Sequence, residues 1–238
     1  MKVEITPLCG ALGAEVHGID LSHDMDPANC SKIKDAFHEN IVLLFREQCL
    51  TPAQQVSFTS CFGPVEPHPL GSREGALSQP EILVLENRAD IPAPRNDFWH
   101  SDISFAECPP LGSVLYALEV PGEGLGDTLF CNMYSVLEEL SPGLQKTLKG
   151  LRALHSAEAL VRRNNEGDNN AKSIASIPSI VSHPVVRTHP ETGRKALYVN
   201  PYYTESFVGW TPEESRLLIE WLMQLATRQE NIYRHSWR

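Results

Sequence analysis

His100 and Asp102 stand two residues apart in Asn96-Asp97-Phe98-Trp99-His100-Ser101-Asp102-Ile103-Ser104-Phe105. On a strand, side chains at i and i+2 leave the same face, so an imidazole and a carboxylate would enter one cavity together. With one more His from elsewhere, these groups make the facial set that holds non-haem Fe(II) and leaves positions open for O2 and a co-substrate. The spacing alone is common. With 9 His and 30 acidic residues in 238, about one H-x-[DE] arises by chance. His189-Pro190-Glu191 is a second match, but it lies in a glycine-containing turn and reads as structural. The plain alternative for His100 and Asp102 is a hydrogen-bonded pair at a strand end. A zinc hydrolase built on the pair lacks a third ligand at short spacing.

The elements that must position these residues are short. Val3 to Thr6, Ala14 to Ile19, Ile41 to Phe45 and Ile82 to Leu85 read as strands. So do Ile103 to Phe105, Ser113 to Leu118 and Thr128 to Cys131, separated by Pro and Gly turns. Asp26-Pro27 predicts a helix through Glu39, and Thr51-Pro52 one through Phe62. Met133 to Leu140 and Pro142 to Lys149 read as two short helices. Val185 to Thr188 and Ala196 to Val199 read as a hairpin. Thr211-Pro212-Glu213-Glu214 starts a last helix through Ala226, and Asn231 to Trp237 starts another strand. Residues 162–173, polar and rich in Asn, read as a mobile lid loop. The pattern predicts a mainly β fold with flanking helices, a sandwich or jelly roll, in one domain spanning 1–238.

Composition narrows the function. Twenty Lys and Arg against thirty Asp and Glu give a net charge of −10, which disfavours binding to nucleic acid. No apolar run of about 18 residues predicts a membrane span, and the N-terminus is a poor signal peptide. Cys9, Cys30, Cys49, Cys61, Cys108 and Cys131 form no C-x-x-C pair and read as free thiols in a cytoplasmic protein. No glycine-rich phosphate loop is present.

Several blocks together resemble the taurine dioxygenase family of Fe(II)/2-oxoglutarate-dependent oxygenases. They are ITPLCGALGAEVHGIDLS, WHSDISF with its following Pro-Pro turn, SVLYAL, GEGLGDTLF and HPVVRTHPETGRKALYVN, in the family's order. The resemblance implies a double-stranded β-helix, or jelly roll. It implies Fe(II) as cofactor, with 2-oxoglutarate and O2 as co-substrates. The implied reaction hydroxylates a small anionic organic substrate, with loss of CO2 and formation of succinate. By the same resemblance His100 and Asp102 are metal ligands and Thr128 hydrogen-bonds a 2-oxoglutarate carboxylate. His68 and Asn96 fall at substrate-side positions. Tyr203 either lines that pocket or packs in the core. Phe98 and Trp99 wall the metal site. A homo-oligomer stays open.

Two departures shape the expectation. Taurine-cleaving members carry a Tyr shortly after the substrate His, where this chain has Gly71. Other sulfonates, sulfate esters and carboxylates therefore stay open. The family's final block, P-G-D, W-D-N-R, a distal His and a carboxylate-binding Arg, has no counterpart before Arg238. The expectation is a chain cut short, with C-terminal strands, third iron ligand and arginine missing, and with an aggregation-prone strand edge. The competing reading is a truncated, non-catalytic relative. His235 falls where the family has a non-ligand basic residue, and His155, His183 and His189 have no stronger claim as replacements. His17, His23 and His38 read as surface positions.

Overall fold

The computed structural model describes residues 3–67, 79–86, 97–122, 124–158 and 180–238. The chain divides into two compact units. Unit 1 comprises Met1–Leu85, Val114–Asn132 and Gln229–Arg238; unit 2 comprises Glu86–Ser113 and Met133–Arg228.

In unit 1, β1 (Glu4–Pro7) pairs antiparallel with β2 (Ala14–His17), and β2 pairs parallel with β3 (Leu43–Leu44). Helix α1 (Pro27–Asn40) starts where expected. Pro27 occupies its first turn, and the Asp26 side chain accepts from the Asn29 N–H at 2.9 Å. It buries Ile33, which packs with Leu21 and Phe58. Helix α2 (Pro52–Thr59) carries a full capping box between Thr51 and Gln54. Strand β4 (Thr128–Cys131) pairs antiparallel with β10 (Ile232–His235), setting Thr128 opposite His235.

Unit 2 is built on β5 (Arg152–His155), which lies between β6 (Val181–Pro184) and β9 (Thr204–Phe207). The hairpin of β7 (Val186–Thr188) and β8 (Lys195–Leu197) forms as predicted, and α3 (Met133–Glu139) packs on β8. Its turn explains the second H-x-E match. His189 Nδ1 accepts the backbone N–H groups of Glu191 and Thr192 at 3.3 and 3.2 Å, so that histidine serves the turn. Helix α4 (Pro142–Lys149) and helix α5 (Pro212–Ala226) follow the expected bounds, and α5 packs against β9.

Several expected strands differ. Among the described residues the strands form four sheets of two or three strands each. Ile82 to Leu85 and Ser113 to Leu118 form no ladder. The second is held by side chains instead. Gln55 Nε2 donates to the Val114 carbonyl at 3.3 Å, and Tyr116 Oη accepts the Leu50 N–H at 3.1 Å. Ile41 to Phe45 shortens to β3 because Ile41 and Glu47 both take positive φ, at 71° and 55°. Ile103 to Phe105 is a turn, with Ile103 at φ 52°. Strands β5, β6 and β9 were absent from the sequence reading. Each is four residues long and mixes polar with apolar positions, so its ladder partners define it. The cysteine expectation is corrected for one pair: Cys30 and Cys61 are bonded, with Cα atoms 5.6 Å apart. Cys9, Cys49 and Cys108 are exposed. His38 is half-buried, whereas His17 and His23 are at the surface as expected.

Candidate active site

The His100 and Asp102 side chains do converge, but not by strand alternation. Asp102 opens the turn through Phe105, and the chain's reversal at Ile103 brings carboxylate and ring together. His100 Nε2 lies 3.1 Å from Asp102 Oδ1. The other ring nitrogen, Nδ1, lies 2.9 Å from the Phe98 carbonyl oxygen. A carbonyl only accepts, so Nδ1 carries the proton and Nε2 faces the carboxylate. Two lone-pair donors facing each other so closely need a cation between them, a proton or a metal ion. Accordingly the carboxylate's hydrogen bond raises the His100 pKa, against the opposing effect of burial.

The spacing also suits a metal. Donors held about 2.1 Å from one ion at right angles lie about 3.0 Å apart, and the pair stands at 3.1 Å. The side chains are reachable, 26% exposed for His100 and 57% for Asp102. Ser113 Oγ donates to the second carboxylate oxygen at 3.3 Å, which fixes the carboxylate plane. Among the described residues, no group of three or more His, Cys, Asp or Glu is gathered that could hold a metal ion.

Aromatic rings wall the pair within unit 2. Phe98 stacks on Tyr202 at 3.6 Å between ring centres, and tilts against His100 at 5.1 Å. Tyr203 presents its ring edge-on to His100 at 6.3 Å, and is itself buried against Phe105 and Ala157. Burial and the neighbouring Tyr202 and Asp102 push its hydroxyl pKa up, so it stays a neutral phenol.

Thr128 belongs to unit 1, at the first position of β4. The Trp237 indole N–H donates to its Oγ1 at 3.0 Å. Indole nitrogen only donates, so the Thr128 hydroxyl accepts there and its own proton is directed to another acceptor. The preceding Asp127 accepts from Arg234 Nε at 2.6 Å, and this bond holds the carboxyl below the usual range. His235 is buried beside Tyr233 and Trp237, with its Nδ1 3.1 Å from the Tyr233 hydroxyl. Burial lowers its pKa, and no metal-binding group forms around it among the described residues. His68, Asn96 and the loop 162–173 lie outside the described residues.

The model of the family described as taurine catabolism dioxygenase TauD, TfdA family matches residues 4–238. The chain belongs to this family. It is 34% identical over 254 residues to an alpha-ketoglutarate-dependent 2,4-dichlorophenoxyacetate dioxygenase of Cupriavidus pinatubonensis, covering 100% of this chain and 86% of that protein. It is 32% identical over 244 residues to an alkylsulfatase of Acinetobacter baylyi, covering 100% of this chain and 75% of that protein. A crystal structure of a taurine dioxygenase from Burkholderia xenovorans superposes with a TM-score of 0.80 at 35% identity. That match covers 99% of this chain and 76% of the other. Members of the TauD, TfdA family are Fe(II)- and 2-oxoglutarate-dependent dioxygenases that consume O2, and this chain is of that enzyme class. Its relatives act on phenoxyacetates and alkyl sulfates by name, which are small organic anions.

Ser113, Ser104 and Asn200 belong to no motif, and the sequence offers His155 only as a weak replacement metal ligand. Their only sequence signal is a polar residue set within an apolar stretch, which is also how ordinary strand residues look.

Proposed function

We propose that the chain hydroxylates a small organic acid, a sulfonate, sulfate ester or carboxylate, with 2-oxoglutarate converted to succinate and CO2. The observation that carries this is the His100 Nε2–Asp102 Oδ1 pair at 3.1 Å, in a chain matched to the family from residue 4 to 238. His100 and Asp102 would hold Fe(II), which when bound supplies the oxidation of the substrate C–H bond. The protein supplies orientation, electrostatics and exclusion of water.

Each residue has a definite task in this reading. The Phe98 carbonyl keeps the His100 proton on Nδ1, which leaves Nε2 to donate its lone pair to the metal. Ser113 orients the Asp102 carboxylate. Thr128, accepting from Trp237, donates its hydroxyl proton to a carboxylate oxygen of 2-oxoglutarate. His68 and Asn96 meet the substrate's anionic group, and Tyr203, a neutral phenol, backs the His100 ring. The scaffold in this reading is one jelly-roll domain over 1–238, with residues 162–173 as its lid.

The test is succinate formation from 2-oxoglutarate under air with Fe(II), against a panel of alkyl sulfates, phenoxyacetates and alkyl sulfonates. Substrate-stimulated succinate formation is expected, with loss of about a thousandfold or more in His100→Ala and Asp102→Ala. Turnover that is unchanged in both variants would exclude this site.

A further inference from the structure

The Asp102 turn is held from beneath by a buried polar cluster that the functional reading leaves unused. Ser104 is fully buried, and its hydroxyl lies 3.1 Å from His155 Nδ1 and 3.2 Å from Asn200 Nδ2. The Asn200 carboxamide is oriented from its other end, because its oxygen accepts the N–H groups of Tyr202 and Tyr203 at 3.2 and 2.7 Å. Its amide nitrogen therefore donates to Ser104. Two residues further, just past the turn, His183 Nε2 donates to the Ala106 carbonyl at 2.9 Å. His155 stands edge-to-face with His183, ring centres 5.3 Å apart, and stacks on Tyr198.

Two costs in this cluster call for an explanation. Ile103 is β-branched yet sits at φ 52°, a left-handed conformation that costs an L residue about 1–2 kcal/mol. Such a residue persists only where its surroundings over-determine it. His155 is fully buried, and its Nε2 has no hydrogen-bond partner among the described residues. A leucine or phenylalanine would fill that volume without stranding a polar nitrogen. Burial, with the nearby His183 and Arg187 charges, keeps the ring neutral. The ring is thus not an ion-pair partner, and among the described residues its one directed hydrogen bond is to Ser104.

We propose that His155 is a positioning residue for the metal-ligand turn. Through the Ser104 hydroxyl it locks Ile103 in the left-handed conformation and so holds Asp102 at binding distance from His100. This rests on the reading of His100 and Asp102 as metal ligands. Ligand carboxylates tolerate displacements of only about half an ångström before affinity is lost. The imidazole–hydroxyl bond acts two residues from the ligand, in a turn whose backbone is strained and would otherwise relax.

Co(II) binding to the chain, followed by calorimetric titration and by the visible spectrum of the bound ion, tests the inference without turnover. The variants are Ser104→Ala, His155→Phe, His155→Asn, the double variant Ser104→Ala/His155→Phe, and His100→Ala as the ligand control. The single variants Ser104→Ala and His155→Phe are expected to weaken Co(II) affinity by about ten- to a hundredfold, with an altered spectrum. The double variant is expected to be no weaker than Ser104→Ala, because the His155–Ser104 bond is already lost in that single variant. His155→Asn, whose carboxamide can replace Nδ1, is expected to recover most of the affinity.

Wild-type affinity in either Ser104→Ala or His155→Phe, or losses that simply add in the double variant, overturns the inference. Should His155→Phe fail to fold by circular dichroism, His155→Leu, which also removes the imidazole and leaves the Asn200–Ser104 bond in place, decides by the same criterion. Co(II) binding that is absent, or equal in His100→Ala, overturns the ligand reading itself and the inference with it. Binding lost in His100→Ala but untouched in Ser104→Ala overturns the inference alone.

Discussion

At the residue scale, the chemistry depends on which atom carries each proton. The Phe98 carbonyl fixes the His100 tautomer, and the Trp237 indole fixes the direction of the Thr128 hydroxyl. A hydrogen bond from that hydroxyl to a carboxylate contributes about 1.5–3 kcal/mol. Thr128→Val keeps the shape and removes the donor, so 2-oxoglutarate affinity is expected to fall by about tenfold or more. Calorimetric titration of 2-oxoglutarate checks this, and unchanged affinity would release Thr128 from the role. Residue type and spacing showed His100 and Asp102 as candidates, because imidazole and carboxylate are the groups such chemistry needs, and the family resemblance added Thr128. Neither pointed to what Ser104 and His155 do. Their roles come from burial and contact across sequence separations of 51 and 96 residues, which no local pattern encodes.

At the element scale, the helices were legible and the strands only in part. Asp26-Pro27, Thr51-Pro52 and Thr211-Pro212 each place a capping side chain before a proline, and all three helices start there. The reason is local: the cap satisfies an orphan N–H within three residues. Thr211→Ala removes the capping box that Thr211 forms with Glu214 at the start of α5. It is expected to destabilise unit 2 by about 1 kcal/mol, read as a lower urea midpoint with unchanged slope. Strands had no comparable signal. Ile103 to Phe105 has strand-like composition yet turns, because Ser104 and Phe105 are drawn inward to buried partners. The expectation that His100 and Asp102 share a face survived this error only because the turn delivers the same convergence.

At the scale of the whole molecule, burial couples stability to pH. Burial and the neighbouring His183 and Arg187 push the His155 pKa down to about 3, and burial lowers His183 as well. In the unfolded chain both rings take up protons as pH falls through about 6.5. In the folded protein both rings protonate only at lower pH, His155 near 3, so the unfolded state binds more protons in between. The stability these rings contribute is full above the unfolded value and is lost as pH falls toward about 3. Urea unfolding from pH 7 to pH 4 is expected to show declining stability, with a flatter decline in His155→Phe. An equal slope in that variant would assign the pH dependence to other groups. A bound metal acts in the opposite direction. Co(II) at a hundred times its dissociation constant stabilises the folded state by about 2.7 kcal/mol. A raised thermal midpoint is therefore expected in the wild type and not in Asp102→Ala. The charge of −10 gives no general attraction for a small anion, so recognition of an organic acid has to come from local donors.

Sequence by itself determined the enzyme class, because ordered blocks from near residue 4 to 238 carry the family match. It determined the helix starts, because caps are local. It also nominated the imidazole and carboxylate. Tertiary structure decided how that pair converges, through a strained turn at Ile103 rather than a strand. It also decided that Cys30 and Cys61 are joined. The physical reason is range. Capping and turn chemistry act within a few residues, whereas ladders, buried hydrogen bonds and ring contacts form between segments that only folding brings together.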